Sequence, residues 1–398
     1  MRKVYIDVGN TLNSPSTTGI QRVTRKFVHE VASLQKKLCY QYIPITFDSG
    51  TSRWRKLSLY EVNLIASCKP RRTNFMARAN HRLKRYLGAH QALYLDKLER
   101  NSIFLDIENS WHSPLKRSKL LPALKTDGVV VVKFHYDIIP ILMPDRMPSD
   151  SVSKFNSHFL SHLQQADMFL CISQTSLNDV TSYCQKQGYL CPKMGVVRLG
   201  SNHCSEDKTV TREKQSETTI SQFGRYILTV GTLEPRKNHE LILTAYDLIR
   251  EDTDLNIVIV GQVGWLADEL YSTIISHPDF GSRIHHLKHV GDEALARLYQ
   301  YAWISVFPSH YEGYGLPVVE ALSHACPTIC SDIPALREIA EGHTRFFSSS
   351  SEQELAKLII ELDSNISSYD ELVSMVKTFK PARWTDTVLD VDKQLMGM

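Results

Sequence analysis

The sequence predicts an α/β protein of two domains, each built on a parallel sheet, and three observations support this. Short apolar runs rich in β-branched residues alternate with helical stretches along the whole chain, which is typical of repeated strand–helix units. The chain has 398 residues, more than a single hydrophobic core usually holds. Residues 205–223 are polar, charged and poor in apolar side chains, as in a linker. We therefore predict domains at 1–204 and 224–379, with a terminal helix at 380–398 that packs back on the first domain.

Short apolar runs bounded by turn residues predict the strands of both halves. In the N-terminal half they are Val4–Val8, Gln41–Ile45, Ile103–Asp106, Val129–Phe134, Met168–Cys171 and Met194–Val197. In the C-terminal half they are Tyr226–Val230, Asn256–Val260, Ile284–His289, Ile304–Phe307 and Thr328–Ser331. Helical periodicity predicts helices between them, among them Gly19–Ser33, Ser173–Gln185, Glu240–Ile249, Glu293–Tyr301 and Leu316–Ala325.

Composition and charge argue against several classes of protein. The formal net charge is only +3, so we expect no nucleic-acid partner. No apolar run approaches the ~20 residues of a membrane span, and the first residues lack the pattern of a signal peptide. The eight cysteines include no CxxC pair, so neither a disulfide framework nor a zinc site is expected. We predict a cytoplasmic protein.

One segment has an unusual charge. The stretch from Val62 to Leu95 contains no acidic residue, and seven basic residues fall within Lys69–Arg85. One interpretation is a solvated helical insertion. The second is peripheral attachment to the inner face of an anionic membrane, where each basic residue can contribute about 1 kcal/mol. Nucleic-acid binding is a third interpretation, but no base-reading motif accompanies the charge. The sequence leaves the first two interpretations open.

A glycine-containing loop follows the predicted strand Ile304–Phe307 and leads into a helix. Parallel sheets bind ligands at the carboxyl ends of their strands. Gly313 and Gly315 let a ligand approach the backbone closely. The helix start then offers N–H groups and a partial positive charge to an anion. A diphosphate is a suitable ligand for such a site.

Two glutamates flank this predicted anion site. Glu312 precedes the helix, and Glu320 lies just over one turn inside it. Carboxylates accept hydrogen bonds from sugar hydroxyls, and a nucleotide sugar carries hydroxyls on both sides of its diphosphate. Without the surrounding glycines, two unrelated solvated glutamates would be the simpler interpretation.

A second turn places Arg236 and Lys237 at the carboxyl end of the strand Tyr226–Val230. Cations in this position can neutralise phosphate charge, and the alternative is a solvated turn. A third turn contains Val290 and Gly291, whose backbone groups can meet a nucleobase. All three turns are expected at the same edge of one sheet.

Three motifs together resemble the donor-binding domain of retaining glycosyltransferases of family 4, which have the GT-B fold. They are GTLEPRKN at 231–238, the VGD turn at 290–292, and the glutamate pair within SHYEGYGLPVVEAL at 309–322. The resemblance covers residues 227–342 and is specific. It implies two Rossmann-like domains whose parallel sheets face each other across a cleft.

The resemblance implies roles for individual residues. Arg236 and Lys237 grip the donor diphosphate, Glu312 contacts the donor sugar, and Glu320 contacts the ribose. The implied donor-binding set further contains Gly19, Val290, Gly291, Gly313, Tyr314, Gly315 and Leu316. Many family members carry arginine where this chain has Thr232. Arg236 takes over that charge in our interpretation, so the division of labour between Arg236 and Lys237 stays open.

The N-terminal half resembles the family more loosely. Gly19 lies in the stretch TGIQRV, which matches a loop that faces the donor phosphate. The stretch Phe134–Pro140 matches a His-Asp-x-x-Pro motif, which implies catalytic roles for His135 and Asp137. Tyr136 occupies the usual histidine position, so the choice between His135 and Tyr136 stays open. Candidates for the acceptor side are Glu108, Trp111 and His112.

For activity, the resemblance implies a retaining hexosyltransferase that uses a nucleotide sugar and needs no cofactor and no metal. The two Asp-x-Asp patterns, at 252–254 and 390–392, lie away from the predicted ligand edge. Chains with these motifs resemble bacterial mannosyl- and rhamnosyltransferases of surface-polysaccharide and O-antigen assembly. GDP-mannose is therefore the favoured donor, ahead of dTDP-rhamnose and UDP-sugars. The implied acceptor is a glycan or a lipid-linked oligosaccharide.

Two other functions were weighed against a transferase. A nucleotide-sugar epimerase or a phosphorylase-like enzyme could use the same scaffold, and a non-catalytic subunit could bind a nucleotide sugar. Both predicted phosphate-binding cations and both glutamates are present, which favours an active transferase.

Overall fold

The computed structural model describes residues 1–14, 19–66, 94–113, 115–201 and 220–398. The basic segment Lys69–Arg85 and most of the predicted linker lie outside these ranges.

The chain forms two compact units. The first comprises residues 1–138, 150–200 and 382–398, and the second comprises 139–149 and 201–381. The segment 139–149, which we placed in the N-terminal domain, therefore groups with the second unit. Its contacts explain why, because the Arg146 guanidinium donates to the Pro235 carbonyl at 3.0 Å.

An eight-stranded sheet, in the order β4-β3-β2-β1-β5-β6-β7-β8, forms the core of the described part of the first unit. Its strands are β1 Lys3–Asp7, β2 Gln41–Asp48, β3 Arg53–Lys56, β4 Tyr94–Leu95, β5 Ile103–Asp106, β6 Val130–His135, β7 Met168–Cys171 and β8 Lys193–Val196. Two of its pairings are antiparallel, β2 with β3 and β3 with β4, and the others are parallel. Strands such as β5 and β7 are buried along their whole length, as expected when helices cover both faces of a parallel sheet.

Helices cover this sheet. In chain order they are α1 Gly9–Asn13, α2 Gly19–Leu34, α3 Leu59–Ala66, α4 Arg117–Thr126, α6 Ser149–Gln165, α7 Gln174–Gln187 and α15 Trp384–Met396. The terminal helix α15 packs against α2. Its Asp392 accepts hydrogen bonds from the Cys39 amide at 2.8 Å and the Tyr42 hydroxyl at 3.1 Å. The last helix of the chain thus belongs to the first unit.

The second unit is built on a six-stranded sheet, in the order β11-β10-β9-β12-β13-β14, and all of its pairings among the described residues are parallel. The strands are β9 Tyr226–Val230, β10 Asn256–Val260, β11 Ile284–Leu287, β12 Ile304–Phe307, β13 Thr328–Ser331 and β14 Arg345–Phe347. The helices are α5 Ile139–Leu142, α8 His239–Ile249, α9 Asp268–Ser276, α10 Asp292–Tyr301, α11 Leu316–Ser323, α12 Pro334–Ala340, α13 Glu352–Ser364 and α14 Ile366–Lys377.

The prediction of two α/β domains with parallel sheets is confirmed. The structure differs in detail, because β3, β4 and β14 were not predicted and β11 ends two residues early, at Leu287. Within the described ranges, no helix is long and apolar enough to cross a membrane.

Candidate functional site

The C-terminal sheet reverses its strand order between β9 and β12. Counted from its first strand, the order is 3-2-1-4-5-6, and in such sheets the ligand binds outside the carboxyl ends of the strands at the reversal. Two loops meet there, the β9 loop (residues 231–238) and the β12 loop (residues 308–315). The Asn238 side-chain amide joins them by donating to the Pro308 carbonyl at 3.2 Å.

A short 3-10 turn over Pro235–Lys237 shapes the β9 loop. Pro235 fixes its own φ at the start of this turn. Asn238 then adopts a left-handed φ of 55°, which asparagine tolerates better than most residues. Helix α8 begins directly afterwards, at His239. This course brings the two basic side chains of the turn to the β12 loop.

The centre of the site is an ion cluster of Glu234, Arg236, Lys237 and Glu312. Lys237 Nζ lies 2.5 Å from Glu312 Oε1, and Arg236 Nη1 lies 2.8 Å from Glu312 Oε2. Arg236 Nη2 lies 2.5 Å from Glu234 Oε1. The Ser309 hydroxyl donates to Glu312 Oε1 at 2.8 Å. The structure therefore brings the predicted phosphate cations into direct contact with the predicted sugar-binding carboxylate.

Glu312 is ionised at neutral pH. Burial disfavours its charged form, since the residue is only 8% exposed, but the adjacent cations Arg236 and Lys237 outweigh burial. Together they lower the pKa of Glu312 to about 2. Two cations and two carboxylates make up the cluster, so its formal charge is zero.

The cluster keeps hydrogen-bonding capacity for a ligand. A carboxylate offers about four acceptor positions. Glu312 uses two at Oε1, for Lys237 and Ser309, and one at Oε2, for Arg236. One position at Oε2 is left for a ligand hydroxyl. Lys237 directs one of its N–H groups at Glu312, so the others can reach a phosphate oxygen.

A pocket beside the cluster is lined by Lys237 of the β9 loop, by His239 at the start of α8, and by Ser309, Glu312 and Gly315 of the β12 loop. His239 is buried, and its Nδ1 has no hydrogen-bond partner in the described part of the chain. Burial and the neighbouring Lys237 lower the pKa of His239 to about 3. This histidine is therefore neutral and adds no charge to the site.

The β12 loop ends in Gly315, which has a left-handed φ of 108°. Helix α11 begins at the next residue, and Pro317 in its first turn has no N–H to offer. The amides of Val318 and Val319 donate to the Gly315 carbonyl. Among the described residues, the amides of Gly315 and Leu316 have no acceptor, so these two N–H groups can bind an anion. The helix start therefore offers fewer N–H groups to an anion than the sequence predicted.

The other residues predicted for the donor lie along the same two elements. Gly313 and Tyr314 are buried in the β12 loop, and Leu316 is half-buried at the start of α11. Glu320 is buried on α11, at 7% exposure, and lies outside the ion cluster defined above. Their predicted contacts with a donor stay predictions.

The third predicted turn lies between β11 and α10. Since β9, β10, β11 and β12 are parallel, this turn is at the same edge as the β9 and β12 loops. Gly291 precedes α10 and is exposed, and Val290 is half-buried. The Gln262 side-chain nitrogen lies 3.0 Å from His289 Nδ1, which fixes this turn to the loop after β10.

The loop after β10, residues 261–267, was not singled out by the sequence analysis. It packs on the β9 loop so closely that a Cβ on Gly261 would lie 1.9 Å from the Gly231 carbonyl oxygen. Trp265 in this loop is 38% exposed, and its Nε1 donates to the Arg146 carbonyl at 3.2 Å. The sequence signal for this loop is a tryptophan, Trp265, near two glycines directly after a predicted parallel strand.

In the first unit, His135 does not reach the surface. It ends β6, is 3% exposed and lies between the rings of Phe159 and Phe169, with centroid distances of 5.8 and 5.3 Å. Burial lowers the pKa of His135 to about 3. Tyr136 is also buried and donates to a backbone carbonyl, whereas Asp137 is half-buried. Of these three candidates, Asp137 is the accessible one in this structure.

Glu108 is buried, and its carboxylate is bonded to backbone amides rather than exposed to a ligand. It is 1% exposed, and its carboxylate oxygens accept from the amides of Asn10 at 2.7 Å and Thr11 at 2.6 Å. Burial and the nearby Asp7 raise the pKa of Glu108 to about 8. This placement ties Glu108 to the start of α1 and argues against the acceptor contact predicted for it.

The remaining N-terminal candidates are more accessible. His112 is exposed and Trp111 is half-buried, with its ring edge-on to Phe155 at 5.2 Å. Gly19 is exposed at the start of α2. These positions leave Trp111 and His112 as acceptor-side candidates.

A buried ion network, which the sequence analysis missed, joins the ends of β1 and β5. Arg117 Nη2 lies 2.7 Å from Asp7, and Arg117 Nε lies 2.6 Å from Asp106. Asp106 also offers a ligand atom within 4.8 Å of those of His158 and His162. Two cations, Arg117 and Lys133, already lie on the Asp106 carboxylate, and they oppose a metal ion there.

Comparison with known proteins adds three findings. Residues 210–377 match the family model described as Glycosyl transferases group 1. The chain is 25% identical to the serotype-specific mannosyltransferase WbdA of Escherichia coli, over 90% of this chain and 42% of that protein. It is 30% identical to the O-antigen chain mannosyltransferase B of Escherichia coli, over 52% of this chain and 54% of that protein. The chain thus spans less than half the length of WbdA.

Solved structures share the fold. Anabaena HepE in complex with UDP-glucose superposes with a TM-score of 0.69 at 14% identity, covering 100% of both chains. Sucrose-phosphate synthase from Thermosynechococcus elongatus has a TM-score of 0.65 at 13% identity, covering 100% of this chain and 99% of that one. At this identity the likeness concerns the fold alone, and it confirms the predicted GT-B fold class.

Proposed function

We propose, from the premise that this chain contains a glycosyltransferase group 1 domain, that it transfers a hexosyl unit from a nucleotide sugar to a glycan or lipid-linked oligosaccharide. Mannose is the favoured sugar and GDP-mannose the favoured donor, because two relatives are named as mannosyltransferases. One observation carries the proposal, the contact of Arg236 and Lys237 with Glu312 at the reversal point of the C-terminal sheet.

The leaving group determines what the site must do. When the sugar departs, negative charge develops on the diphosphate, and groups already oriented toward it lower the barrier most. Lys237 keeps N–H groups for phosphate, and the amides of Gly315 and Leu316 have no other acceptor among the described residues. The start of α11 adds roughly half a positive charge. These groups support a transferase that needs no cofactor and no metal.

Glu312 is suited to bind the sugar and unsuited to attack it. Its open acceptor position at Oε2 can take a hydrogen bond from a sugar hydroxyl. A carboxylate with a pKa of about 2, held by two cations, is a weak base and a weak nucleophile. We therefore assign no covalent intermediate to Glu312, and we propose retention of the anomeric configuration without an enzyme nucleophile at this residue.

A lipid-linked acceptor requires the enzyme to reach a membrane surface. A lipid-linked acceptor lies at a bilayer surface, and the described residues contain no helix able to span one. Lys69–Arg85, outside the described ranges, is strongly basic in sequence and is the segment we propose to contact an anionic inner leaflet. We therefore propose a cytoplasmic protein that meets the inner face of the membrane through this segment.

Two measurements test the function. In a thermal-shift panel of GDP-mannose, dTDP-rhamnose and UDP-sugars, the true donor at about 100 times its Kd should stabilise the protein by roughly 2.7 kcal/mol. Release of the nucleoside diphosphate should then require a glycan acceptor and should be equal with and without EDTA. Acceptor-independent conversion of the donor would indicate an epimerase, and binding without turnover would indicate a non-catalytic subunit. Strict dependence on Mg²⁺ or Mn²⁺ would contradict the metal-free mechanism.

A further inference from the structure

Arg146 lies beside the ion cluster although it is distant from the cluster in sequence. It belongs to the segment 139–149, which groups with the second unit. Its Nη1 donates to the Pro235 carbonyl at 3.0 Å, and its own carbonyl accepts from Trp265 Nε1 at 3.2 Å. Pro235 directly precedes Arg236 and Lys237. Two hydrogen bonds therefore fix Arg146 against the β9 loop and the loop after β10.

The ion cluster itself offers no net positive charge to a diphosphate. The positive charges of Arg236 and Lys237 are balanced by Glu234 and Glu312, which lie within hydrogen-bond distance of them. A bound nucleoside diphosphate brings further negative charge, and its binding needs a cation that is not already neutralised.

Arg146 meets this need. It has no carboxylate partner in the described part of the chain, and it is half-buried rather than freely solvated. One guanidinium nitrogen donates to the Pro235 carbonyl, which leaves donors of the planar fork for a second acceptor. The charge of Arg146 also acts on His310 in the β12 loop, because burial and Arg146 together lower the pKa of His310. The His310 amide in turn donates to the Arg236 carbonyl, so Arg146 lies close to the ion cluster.

We propose that Arg146 is a further donor-binding cation, which contacts the diphosphate of the nucleotide sugar and supplies the positive charge that the ion cluster lacks. The inference rests on the proposed function, since it assumes a nucleoside-diphosphate ligand at the ends of β9 and β12. Arginine suits this task because its fork can bind two phosphate oxygens while one nitrogen stays on Pro235.

The test compares Arg146→Gln and Arg146→Lys with the unchanged protein. Calorimetric titrations use GDP and UDP as diphosphate probes, and GMP and UMP as probes that lack the β-phosphate. Arg225→Gln is the matched control, because Arg225 lies at the opposite end of β9 and pairs with Asp254 and Asp363. Circular dichroism and thermal unfolding establish that each variant is folded.

Loss of one charge-assisted contact should weaken diphosphate binding about 10- to 100-fold in Arg146→Gln. We expect monophosphate binding to change less than about 3-fold, and Arg146→Lys to retain most diphosphate affinity because it keeps the charge. Arg225→Gln should bind like the unchanged protein.

Three results would overturn the inference. Unchanged diphosphate affinity in Arg146→Gln would remove Arg146 from the site. An equal loss for diphosphates and monophosphates, with Arg146→Lys no better than Arg146→Gln, would show that Arg146 only holds the loops in place. If the unchanged protein bound neither these four nucleotides nor dTDP, the proposed function itself would fail together with this inference.

Discussion

Glu312 holds two cations in place and still keeps an acceptor position for a ligand. Its pKa is depressed to about 2, so its ionised form stabilises the fold at every pH above the unfolded value of 4.5. That contribution is lost progressively as the pH falls from about 4.5 to about 2. An activity loss between pH 5 and 7 would therefore have to come from another group.

The cationic turn should control donor affinity. Lys237→Ala removes a charge-assisted bond of about 2 kcal/mol, so binding of GDP or UDP, measured by calorimetry, should weaken about 30-fold. Arg236→Ala should weaken binding similarly and also lower the unfolding temperature more, because Arg236 is bonded to Glu234, Glu312 and the Tyr311 carbonyl. Unchanged affinity in both variants would exclude this turn from the site.

Substitution of Glu312 and of Glu320 should affect different steps, turnover in the first case and nucleotide binding in the second. Glu312→Gln replaces a charged acceptor beside the sugar by a neutral one, so turnover should fall. Stability should also fall, because Arg236 and Lys237 lose their charged partner, so turnover is compared well below the unfolding temperature of the variant. Glu320→Gln should mainly weaken binding of the nucleoside diphosphate alone. Full activity of Glu312→Gln with the native acceptor would refute the role of Glu312 as the sugar contact.

Glu108 should make stability fall as the pH rises from about 5 to about 8. Its folded pKa is raised to about 8, so its contribution to stability is complete below the unfolded value of 4.5 and is lost as the pH rises through about 8. The thermal midpoint should fall by about 3 °C for each kcal/mol lost, and this loss should occur between about pH 5 and 8. Glu108→Gln, which cannot ionise, should have a flatter profile. Identical profiles would mean that the two amides of α1 keep Glu108 ionised throughout.

At the residue scale, the sequence predicted those site residues that lie in short motifs directly after a strand. Arg236, Lys237 and Glu312 follow parallel strands within recognisable motifs, and the structure brings them together. Arg146 was not predicted, because its position depends on a contact with Pro235, 89 residues away in the chain. The burial of His135 was not predicted either, since the packing of Phe159 and Phe169 over a strand end has no local signal.

The elements that carry the site are short and their ends are fixed by special backbone positions. Asn238 ends the 3-10 turn in a left-handed conformation, and Gly315 does the same before α11. The two positions set the exits of the β9 and β12 loops. The chemistry of the site therefore depends on two backbone geometries as much as on the charged side chains.

Gly315→Ala tests this dependence. At a φ of 108° an alanine is strained, and its Cβ would lie 2.5 Å from the Leu336 side chain. We expect a loss of about 1–3 kcal/mol in stability by denaturant unfolding. Binding of GDP or UDP should also weaken, because the Gly315 and Leu316 amides would move. Gly342→Ala is the control, since it has a similar positive φ of 78° but no neighbour within 4 Å. Nucleotide binding equal to that of this control would contradict a role for the helix start.

Element prediction succeeded where short apolar runs were bounded by polar or turn residues on both sides. Strands β5, β7, β9, β10, β12 and β13 begin and end as predicted. The strand β3 has the sequence RWRK, whose charges hide the strand signal, and its Arg55 is buried only because Glu61 pairs with it at 2.7 Å. The strand β14 has three residues, too few for a periodic pattern.

At the scale of the molecule, each unit places charged residues at the reversal point of its sheet, but only one of the two clusters is accessible. The Arg117 side chain, between Asp7 and Asp106, is 1% exposed. The Arg236 and Lys237 side chains are 13% and 14% exposed, and Lys237 lines a pocket together with Glu312. Accessibility, rather than charge alone, favours the second unit as the donor site and a structural role for the network of the first.

Membrane attachment is a property of the whole protein, because it determines whether the enzyme meets an acceptor at a bilayer. The segment proposed for it lies outside the described ranges. Seven basic residues within Lys69–Arg85, with no acid among them, could contribute several kcal/mol at an anionic leaflet, less the effect of salt. We expect the protein to sediment with anionic but not with neutral vesicles, and binding to weaken steeply between low and physiological salt.

Two variants with equal changes in charge make this prediction specific. In the first, four basic residues of the segment are replaced by glutamine, at Arg78, Arg82, Lys84 and Arg85. In the control, four exposed lysines elsewhere are replaced, at Lys119, Lys186, Lys357 and Lys377. If the segment binds the membrane, the first variant should leave anionic vesicles while it keeps full activity on a water-soluble acceptor analogue, and the control should stay bound. Equal release of both variants would mean that overall charge, not this segment, attracts the protein, because the electrostatic attraction would then depend on the number of cations rather than on where they lie.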